Sequence, residues 1–426
     1  MLKRHSLEGQ QRLAGGTDLR LAIVSPFLDR KHGTERCIVE QIERFLTRPG
    51  CEIHIYSQSV QDLEVVRAAG FSAPSPVSGK AIWHPVPSIP GPGLLKFVWW
   101  YFANRGIRWF HENLRSVRYD VVYSPGINCS DADAIAVHIV FHEYFRLIRD
   151  ELRLSKAPLR TWPILLHRAL YYRLIMALER RIYRDHHVAL SAVSNLTAGE
   201  LTAYFARREV RVILNAVDLT YFTPRARLHR REDSRRKLRL LRDEFIVLLI
   251  GNDWRNKGLE TLLAAVALTQ QKQIRVVVVG HDNQVPFLSQ ISRLGLERQV
   301  VFADPSPDVL QFYAAADVYA SPTHHDSFAL PPIEAMACGL PVITSDRNGG
   351  AQIITDGFDG FVLKGPDAVN DLAQLISRLC VQPELCRQVG DRAAQCVQSY
   401  TWDRNASETW EFLRRTAEGK VVLRSK

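Results

Sequence analysis

The chain has 426 residues, of which 46% are hydrophobic, and a formal net charge of +10 at pH 7. This length suits two domains of ordinary size, and no run reaches the roughly 20 apolar residues that a membrane-spanning helix requires. The seven cysteines are odd in number and form no CxxC pair. This pattern argues against a disulfide framework or a structural zinc site and favours a reducing compartment. The excess of basic over acidic residues indicates that one of the partners is an acidic surface or an acidic substrate.

The first half of the chain reads as a doubly wound domain. Residues 1–18 are polar and contain no apolar run, so we interpret them as a loose leader and not as a signal peptide. Short β-branched runs then alternate with segments of helical periodicity. These runs lie at 19–27, 52–57, 81–86, 121–124, 134–140, 188–193 and 210–214. The alternation predicts a parallel sheet with helices on both faces, which we assign to a domain over 19–217.

The run DRKHGTER at 29–36 follows the first predicted strand. Its glycine, Gly33, allows backbone N–H groups to approach an anion where a helix begins. The junction has no GxGxxG, so a dinucleotide fingerprint is absent. A loop-to-helix turn with a solvated basic rim is the alternative interpretation.

The segment 93–118 combines aromatic and basic residues at helical spacing. The aromatic residues are Trp99, Trp100, Tyr101, Phe102, Trp109 and Phe110, and the cations are Lys96, Arg105, Arg108, Arg115 and Arg118. Such a helix suits an anionic lipid interface, and a buried helix with a polar rim is the alternative. Because neighbouring indoles cannot all face one core, we favour contact with an anionic membrane surface.

A second series of strand-like runs begins at 245–250 and continues at 274–280, 300–302, 318–321 and 341–344. It predicts a second doubly wound domain, which we assign to 244–400. The residues between the two domains, 218–243, include an Arg-rich stretch that suits a basic linker with a solvated surface or a short helix. A terminal helical segment follows at 401–426.

Two carboxylates flank a predicted helix start in the second domain. Pro331 and Pro332 favour a first helical turn, and Gly339 falls where a left-handed cap would end that helix. The helix N-terminus favours a diphosphate. We expect Asp326, in the preceding loop, to accept hydrogen bonds from sugar hydroxyls, and Glu334, on the first helical turn, to accept both hydroxyls of a ribose. An N-cap role for Asp326 and a helix-dipole role for Glu334 are the plainer alternative.

The residues between these carboxylates are expected to face the phosphates. Phe328, Ala329 and Leu330 are apolar and narrow, which allows an anion to approach the main-chain amides. Together with Ser327 they complete the predicted nucleotide-binding loop.

The run DSFALPPIE at 326–334 resembles the Glu-x7-Glu signature of the retaining family 4 glycosyltransferases, which are glycosyl transferases group 1. Asp326 stands where that family usually has Glu. The continuation from Glu334 to Ile343 and the later Gly349-Gly350 are also similar, and the resemblance covers mainly 250–362. It points to enzymes similar to lipopolysaccharide core glucosyltransferases and related mannosyltransferases. It implies an α/β GT-B fold, with two doubly wound Rossmann-like domains facing a cleft and a C-terminal helix crossing back to the first domain.

The resemblance also implies roles for residues outside this signature. The run GNDWRNKG at 251–258 is similar to the family segment whose basic residues neutralise the leaving diphosphate, which makes Lys257 a candidate and Arg255 a possible second cation. Gly33 and Thr34 match a loop that faces the donor phosphates and the acceptor. His138 ends a predicted strand where related transferases contact the donor sugar or the acceptor, and a histidine bonded within the sheet edge is the alternative.

These observations predict a retaining glycosyltransferase that moves a hexose from a nucleoside-diphosphate sugar, such as UDP-glucose or GDP-mannose, to a hydroxyl of a glycan or glycolipid. A lipopolysaccharide or other cell-envelope polysaccharide is the expected acceptor. We expect no metal, no cofactor besides the donor and no nucleic acid, and a cytoplasmic protein peripheral on the inner face of the plasma membrane. The alternatives are a nucleotide-sugar isomerase or epimerase on the same fold and a basic nucleic-acid-binding protein.

Overall fold

The computed structural model describes residues 19–63, 79–149 and 159–425, so the predicted leader lies outside the described residues. The chain divides into two compact units. The first comprises the residues up to Leu214 together with those from Asp403 onward, and the second comprises Asn215–Trp402. Each unit is built on one parallel sheet, which confirms the predicted α/β class with two Rossmann-like halves.

The first unit contains a seven-stranded parallel sheet in the order β5-β3-β1-β6-β7-β8-β9. Its strands are β1 (Arg20–Val24), β3 (Glu52–Ser57), β5 (Lys80–Pro85), β6 (Val121–Pro125), β7 (Ala134–Val137), β8 (Ala189–Ala192) and β9 (Val210–Val212), and the short β2 (Phe27–Leu28) and β4 (Ser59–Val60) pair separately. Its helices are α1 (Gly33–Phe45), α2 (Gly93–Leu114), α3 (Phe141–Ile148), α4 (Trp162–Tyr183), α5 (Asn195–Phe205) and α13 (Trp402–Ser425). Aliphatic side chains on both faces of the strands form a core on each side of the sheet, as a parallel sheet covered by helices requires.

The C-terminal helix α13 belongs to the first unit, which confirms the predicted return of the chain. Trp410 and Leu413 are buried in the core beside β1 and α1. Polar contacts fix the same helix, because the Gln41 amide donates to Asn405 Oδ1 at 2.8 Å and Lys420 Nζ lies 2.6 Å from Asp133 Oδ2. The helix therefore completes the first unit and is not a free tail.

The second unit contains a six-stranded parallel sheet in the order β12-β11-β10-β13-β14-β15. Its strands are β10 (Phe245–Ile250), β11 (Ile274–Val279), β12 (Val300–Ala303), β13 (Val318–Ser321), β14 (Val342–Ser345) and β15 (Phe361–Leu363). Its helices are α6 (Pro224–Lys237), α7 (Leu259–Thr269), α8 (Val285–Arg293), α9 (Leu310–Ala315), α10 (Leu330–Ala337), α11 (Val369–Val381) and α12 (Pro383–Cys396). In both sheets the sequence order of the strands reverses in the interior, beside β1 in the first and beside β10 in the second.

The Arg-rich stretch predicted as a linker over 218–243 lies inside the second unit and contains α6. Arg235 is only 5% exposed, because its guanidinium donates to the Ala315 carbonyl at 3.0 Å and pairs with Asp317 Oδ2 at 2.6 Å. Arg231 pairs with the other oxygen of Asp317. The prediction of a solvated surface is therefore wrong for this face of α6. The high charge of the sequence does not reveal that a backbone carbonyl and a carboxylate lie opposite the two guanidiniums.

Candidate active site

The loop after β10 positions Lys257, and glycines determine how closely it packs. Gly251 has φ +146°, and a Cβ built on it would lie 2.9 Å from Lys257 Cε. Gly258 has φ +81°, and a Cβ there would lie 2.1 Å from the Pro322 carbonyl oxygen. Both positions therefore require glycine, which adopts positive φ without steric cost and leaves room for the neighbouring atoms.

Lys257 and Asp326 form an ion pair between the loops that follow β10 and β13. The two side chains are 13% and 20% exposed, so the pair is largely withdrawn from water. The structure thus brings together two residues that lie 69 positions apart in the sequence. A cation in such surroundings interacts with an incoming anion more strongly than a solvated surface lysine would.

Asn256 joins the same two loops, and the sequence analysis missed it. Its side-chain amide donates to the His325 carbonyl at 2.8 Å, and its own carbonyl accepts from the His324 N–H at 2.7 Å and the Thr323 hydroxyl at 3.0 Å. These bonds fix the loop of Lys257 against the loop of Asp326. The partners are backbone groups far away in sequence, so no local motif indicates them.

The loop after β14 supports the Asp326 loop from the other side. The Gly349 N–H donates to the Asp326 carbonyl at 2.7 Å. Asn348 Oδ1 accepts from the Gly350 N–H at 3.0 Å and from the Ala329 N–H at 3.3 Å. Asn348, which the sequence analysis did not identify, therefore connects the Gly349-Gly350 pair to the loop of Asp326.

Helix α10 begins at Leu330 with two prolines in its first turn, and Gly339 follows its end with φ +72°, as predicted. The expected row of unpaired amides is wrong, however. Prolines carry no N–H, the Phe328 N–H donates to Asp326 Oδ1 at 3.1 Å, and the Ala329 N–H donates to Asn348. An anion near this terminus would therefore interact with the helix dipole and Lys257 more than with open amides.

The side chains of Ser327, Phe328 and Ala329 are buried, and Leu330 is partly buried. The three buried side chains therefore pack inside the unit and do not face a phosphate. Their packing fixes the backbone that leads into α10.

Glu334 is the fifth residue of α10, so it lies on the second turn and not on the first. It is 5% exposed, and the Tyr313 hydroxyl donates to its Oε2 at 2.7 Å. Burial and the adjacent Glu334 carboxylate raise the pKa of Tyr313 well above its usual value, which keeps the phenol protonated as a donor. Sequence reasoning missed Tyr313, because it lies on a separate helix, α9.

Tyr319, on β13, links the two carboxylates electrostatically. It is 1% exposed, and its hydroxyl lies 3.4 Å from the Ile250 carbonyl at the end of β10. Burial raises the pKa of Tyr319, and the carboxylates of Asp326 and Glu334 raise it further. Both carboxylates therefore act on one phenol at the edge of the sheet where Lys257 also lies.

Arg255, the predicted second cation, differs from Lys257. Its side chain is 58% exposed, and its Nε lies 3.3 Å from the Glu260 carboxylate on α7. The pair is exposed and contributes little energy.

The remaining predicted residues lie in the first unit. Gly33 starts α1 and is exposed, and Thr34 is partly buried. His138 follows β7, and burial lowers its pKa to about 4, so its imidazole is neutral near pH 7. His142 is buried with its Nδ1 2.6 Å from the Glu179 carboxylate, which indicates a structural role.

Within the described ranges, no group of three or more His, Cys, Asp and Glu side chains is placed to hold a metal ion. The described helices include none that combines the length and the apolar character needed to cross a membrane.

Comparison with known proteins is consistent with this geometry. The profile of the family described as Glycosyl transferases group 1 matches residues 230–395. The D-inositol 3-phosphate glycosyltransferase of Actinosynnema mirum is 29% identical over 251 residues, which are 55% of this chain and 58% of that protein. The chain thus spans little more than half the length of this curated relative.

Solved structures share the fold. WaaG, a glycosyltransferase involved in lipopolysaccharide biosynthesis, superimposes with a TM-score of 0.69 at 17% identity, covering 91% of this chain and 99% of WaaG. Anabaena HepE in complex with UDP and glucose superimposes with a TM-score of 0.64 at 18% identity, covering 92% and 99% of the two chains. The part of the chain that matches the glycosyl transferases group 1 family includes Lys257, Asp326 and Glu334.

Proposed function

We propose that this protein is a retaining glycosyltransferase that moves a hexose from a nucleoside-diphosphate sugar to a hydroxyl group. The observation that carries the proposal is the largely buried Lys257–Asp326 ion pair at the carboxyl ends of β10 and β13, with Glu334 on the helix that follows. In open α/β sheets the ligand crevice lies at this point, where the strand order reverses. The match of residues 230–395 to the glycosyl transferases group 1 family supports the same chemistry.

The geometry suggests how the site would act. As the anomeric bond breaks, negative charge develops on the β-phosphate, and Lys257 would stabilise it most in the transition state. Lys257 would then exchange its contact with Asp326 for the phosphate, which leaves Asp326 to accept hydrogen bonds from the sugar. The departing phosphate can take the proton of the attacking hydroxyl on the same face, which retains the anomeric configuration.

The proposed donor is UDP-glucose or GDP-mannose, with Glu334 accepting hydrogen bonds from the ribose. The complexes of HepE with UDP and UDP-glucose favour the uridine donor among these. For the acceptor we propose a lipid-linked or cell-envelope glycan, because WaaG, which shares the fold, is involved in lipopolysaccharide biosynthesis. The protein would then act in the cytoplasm at the inner face of the plasma membrane.

The donor-binding role is tested by Glu334→Ala and Lys257→Met. A hydrogen bond to a charged group contributes about 1.5–3 kcal/mol, so Glu334→Ala should weaken donor binding by roughly 10- to 100-fold. Lys257→Met keeps the stem of the side chain and removes the charge, and should lower kcat by about 100-fold or more. Calorimetry with UDP and GDP, together with turnover of the sugar nucleotides, measures both effects.

Lys272→Ala is the matched control, because Lys272 is an exposed lysine of the same unit. The control should bind and turn over the donor like the wild type. Unchanged UDP and GDP affinity in Glu334→Ala would remove Glu334 from the site.

This scheme places no catalytic demand on a divalent metal, because Lys257 and the dipole of α10 supply the positive charge. Activity after dialysis against a chelator should therefore equal that of untreated enzyme. Complete loss in the chelator, with recovery on addition of manganese, would contradict the scheme.

The two alternatives are separated by simple assays. An isomerase or epimerase would convert a sugar nucleotide to another without any acceptor, and product analysis of such a mixture detects it. A nucleic-acid-binding role is disfavoured, since the Arg231 and Arg235 guanidiniums on α6 are already bound to Asp317.

We further propose that the first unit contacts an anionic membrane through α2 and α4. The exposed side of α2 carries large apolar residues, among them Phe102 at 69% and Trp109 at 54% exposure, whereas Asn104 and Arg108 are fully buried. Arg108 is held inside by Asp131 at 2.6 and 2.8 Å. An ordinary surface helix has the opposite arrangement, so a partner of apolar character is needed to cover this face.

Helix α4, which the sequence analysis did not single out, extends this surface. The Leu94 N–H of α2 donates to His167 Nε2 at 3.3 Å, and the Phe97 and Tyr171 rings pack edge to face. Near this contact α4 exposes Trp162, Ile164, Leu166 and Leu170. Its later turns expose the cations Arg173, Arg180 and Arg181, which would face anionic headgroups. Trp100, predicted to take part, is 2% exposed and belongs to the core.

Co-sedimentation with vesicles containing about one-third anionic phospholipid tests this surface. The double variant Phe102→Ser, Trp109→Ser should lose most binding at low salt, because each exposed side chain contributes apolar area. Leu268→Ser, which changes an exposed apolar residue of the second unit, should bind like the wild type. Equal binding by the wild type and the double variant would refute the assignment.

A further inference from the structure

The second unit contains a cavity at the edge of its sheet opposite the candidate active site. The cavity has a volume of about 430 Å³ and is lined by Phe245, which begins β10, and by Asp317 and Pro341, which directly precede β13 and β14. Lys257 and Asp326 lie beyond the other ends of β10 and β13. Because β10 has six residues, and such a strand is about 20 Å long, the cavity is separate from the candidate nucleotide site.

Arginines of α6 border this cavity at four-residue spacing, and their charges are balanced unequally. Arg231 and Arg235 both pair with Asp317, whose Oδ2 also accepts from the Ile246 N–H at 2.7 Å. Arg231 donates in addition to the Ala316 carbonyl at 2.8 Å. One carboxylate thus serves two guanidiniums, and both of its oxygens are occupied.

Arg227 lies one turn before Arg231 and also lines the cavity, but it has no carboxylate partner among the described residues. Its Nη1 donates to the Ala316 carbonyl at 3.5 Å, which is a long hydrogen bond, and its Nε is buried without a described partner. Burial and the charge of Arg231 lower the pKa of Arg227, so its surroundings disfavour its charge. A buried donor left without a partner indicates that an ion, a water molecule or a ligand completes the site.

The other charged groups that line the cavity have partners or face water. Glu244 pairs with Arg275 at 2.6 Å, and Arg387 pairs with carboxylates of its own helix, α12. Arg242 pairs with an exposed glutamate of α6, and Asp243 is exposed. Among the described lining residues, Arg227 is therefore the cation with capacity left for an anion.

Apolar side chains form another part of the cavity wall. They are Phe245, Pro341, Leu379 and Pro383. A volume of about 430 Å³ lies in the range of small-molecule pockets and leaves room for more than an oxyanion alone. The cavity therefore suits a charged oxygen group that is attached to an apolar skeleton.

We propose that this cavity binds a small organic anion, with the Arg227 guanidinium donating to a phosphate or carboxylate group and the apolar wall covering the attached skeleton. A guanidinium recognises both kinds of group, because its N–H donors match the spacing of their oxygens. All residues of this site belong to the second unit. The inference does not depend on the proposed transfer reaction.

Calorimetry at constant ionic strength tests the site, with UDP present at saturation so that the candidate nucleotide site is occupied. The probes are phenyl phosphate, benzoate and inorganic phosphate. Phenyl phosphate or benzoate should bind more tightly than inorganic phosphate, and the tighter of the two identifies the preferred oxyanion. Arg227→Gln should weaken this binding by about 10- to 100-fold. Arg225→Gln, a change at an exposed arginine of the same helix, should bind like the wild type.

Cysteines of the second unit provide a second readout that needs no variant. Cys380 and Cys386 line the cavity, whereas Cys396 lies outside its lining, and all three are free and partly exposed. The tighter probe at saturation should slow the alkylation of Cys380 by iodoacetamide, measured by mass spectrometry of its peptide. The rate at Cys396 should not change. In Arg227→Gln the same probe concentration should no longer protect Cys380.

Three results would each overturn the inference. They are no saturable binding of any probe by the wild type, equal affinity of the wild type and Arg227→Gln, and equal alkylation of Cys380 with and without the probe. Glu334→Ala tests the candidate nucleotide site separately. Failure of the anion site would therefore leave the proposed function intact, and failure of the proposed function would leave the anion site to be judged by its own probes.

Discussion

At the scale of single residues, glycine determines whether Lys257 can occupy its place. Gly251→Ala would bring a methyl group to 2.9 Å from Lys257 Cε and impose φ +146° on a residue with a Cβ. We expect a loss of about 1–3 kcal/mol in the free energy of unfolding and a fall in UDP affinity. Urea denaturation and calorimetry measure the two quantities.

Gly357→Ala separates the effect of positive φ from the effect of the contact with Lys257. Gly357 has φ +74°, and a Cβ there would meet no atom within 4 Å. The free energy of unfolding of this control should fall, because alanine adopts positive φ only at a cost, and its UDP affinity should equal that of the wild type. Equal UDP affinity in Gly251→Ala and the wild type would show that the position of Lys257 does not depend on this glycine.

Some residues of the candidate site could be predicted from the sequence, and others could not. Lys257, Asp326 and Glu334 were identified because they lie in short motifs whose chemistry can be read locally. Asn256 and Tyr313 were not, because their bonds reach a distant backbone carbonyl and a carboxylate on another helix. Pairing across loops depends on the register of the sheet, which no local pattern encodes.

At the scale of elements, α13 contributes to the core of the first unit. Trp410 is 5% exposed, its ring packs 5.3 Å from that of Phe45, and the Arg48 guanidinium lies 5.0 Å above it. Trp410→Ala should therefore lower the free energy of unfolding by about 3–5 kcal/mol. Trp109→Ala, which removes an exposed indole from α2, should change it by about 0.5 kcal/mol or less. Urea denaturation compares the two, and similar effects would contradict the role of α13.

Strands of four or more residues were predicted from their β-branched runs, and the structure confirms them. The strands that were missed, β2, β4 and β15, contain only two or three residues, too few to show a period. The linker was misassigned for another reason. Arg227, Arg231 and Arg235 follow one another at four-residue spacing on α6. Whether such a stripe faces water or the protein interior depends on what lies opposite, which is Asp317 for Arg231 and Arg235.

At the scale of the whole molecule, the first unit carries a histidine cluster that predicts sensitivity to acid. His54 Nδ1 lies 2.9 Å from His84 Nε2, and the His84 and His111 rings are 4.5 Å apart. Burial lowers the pKa of all three histidines. For His84, burial and the charges of His111 and His54 together lower the pKa to about 4. Unfolded histidines titrate near about 6.5. Between these values the unfolded state binds more protons, so stability is complete above about pH 6.5 and is lost as the pH falls toward about 4.

Hydrogen exchange can follow this loss within one sample. Between about pH 7 and pH 5, after correction for intrinsic rates, amides of β3 and β5 should lose about 1–3 kcal/mol of protection relative to those of β10 and β11. His84→Gln should reduce the difference. An equal loss of amide protection in the two sheets between about pH 7 and pH 5 would rule out the histidine cluster as the cause of the acid sensitivity.

The chain enters the second unit at Asn215 and returns to the first at Asp403. The ribosome therefore finishes the whole second unit before it makes the helix that seals the core around Trp410. Ordinarily the N-terminal part of a chain folds first during synthesis. Here the core that α13 covers on one face of the first sheet would stay open until translation has passed the second unit. A ribosome that stalls in between would therefore release a chain with a complete second unit and an incomplete first unit.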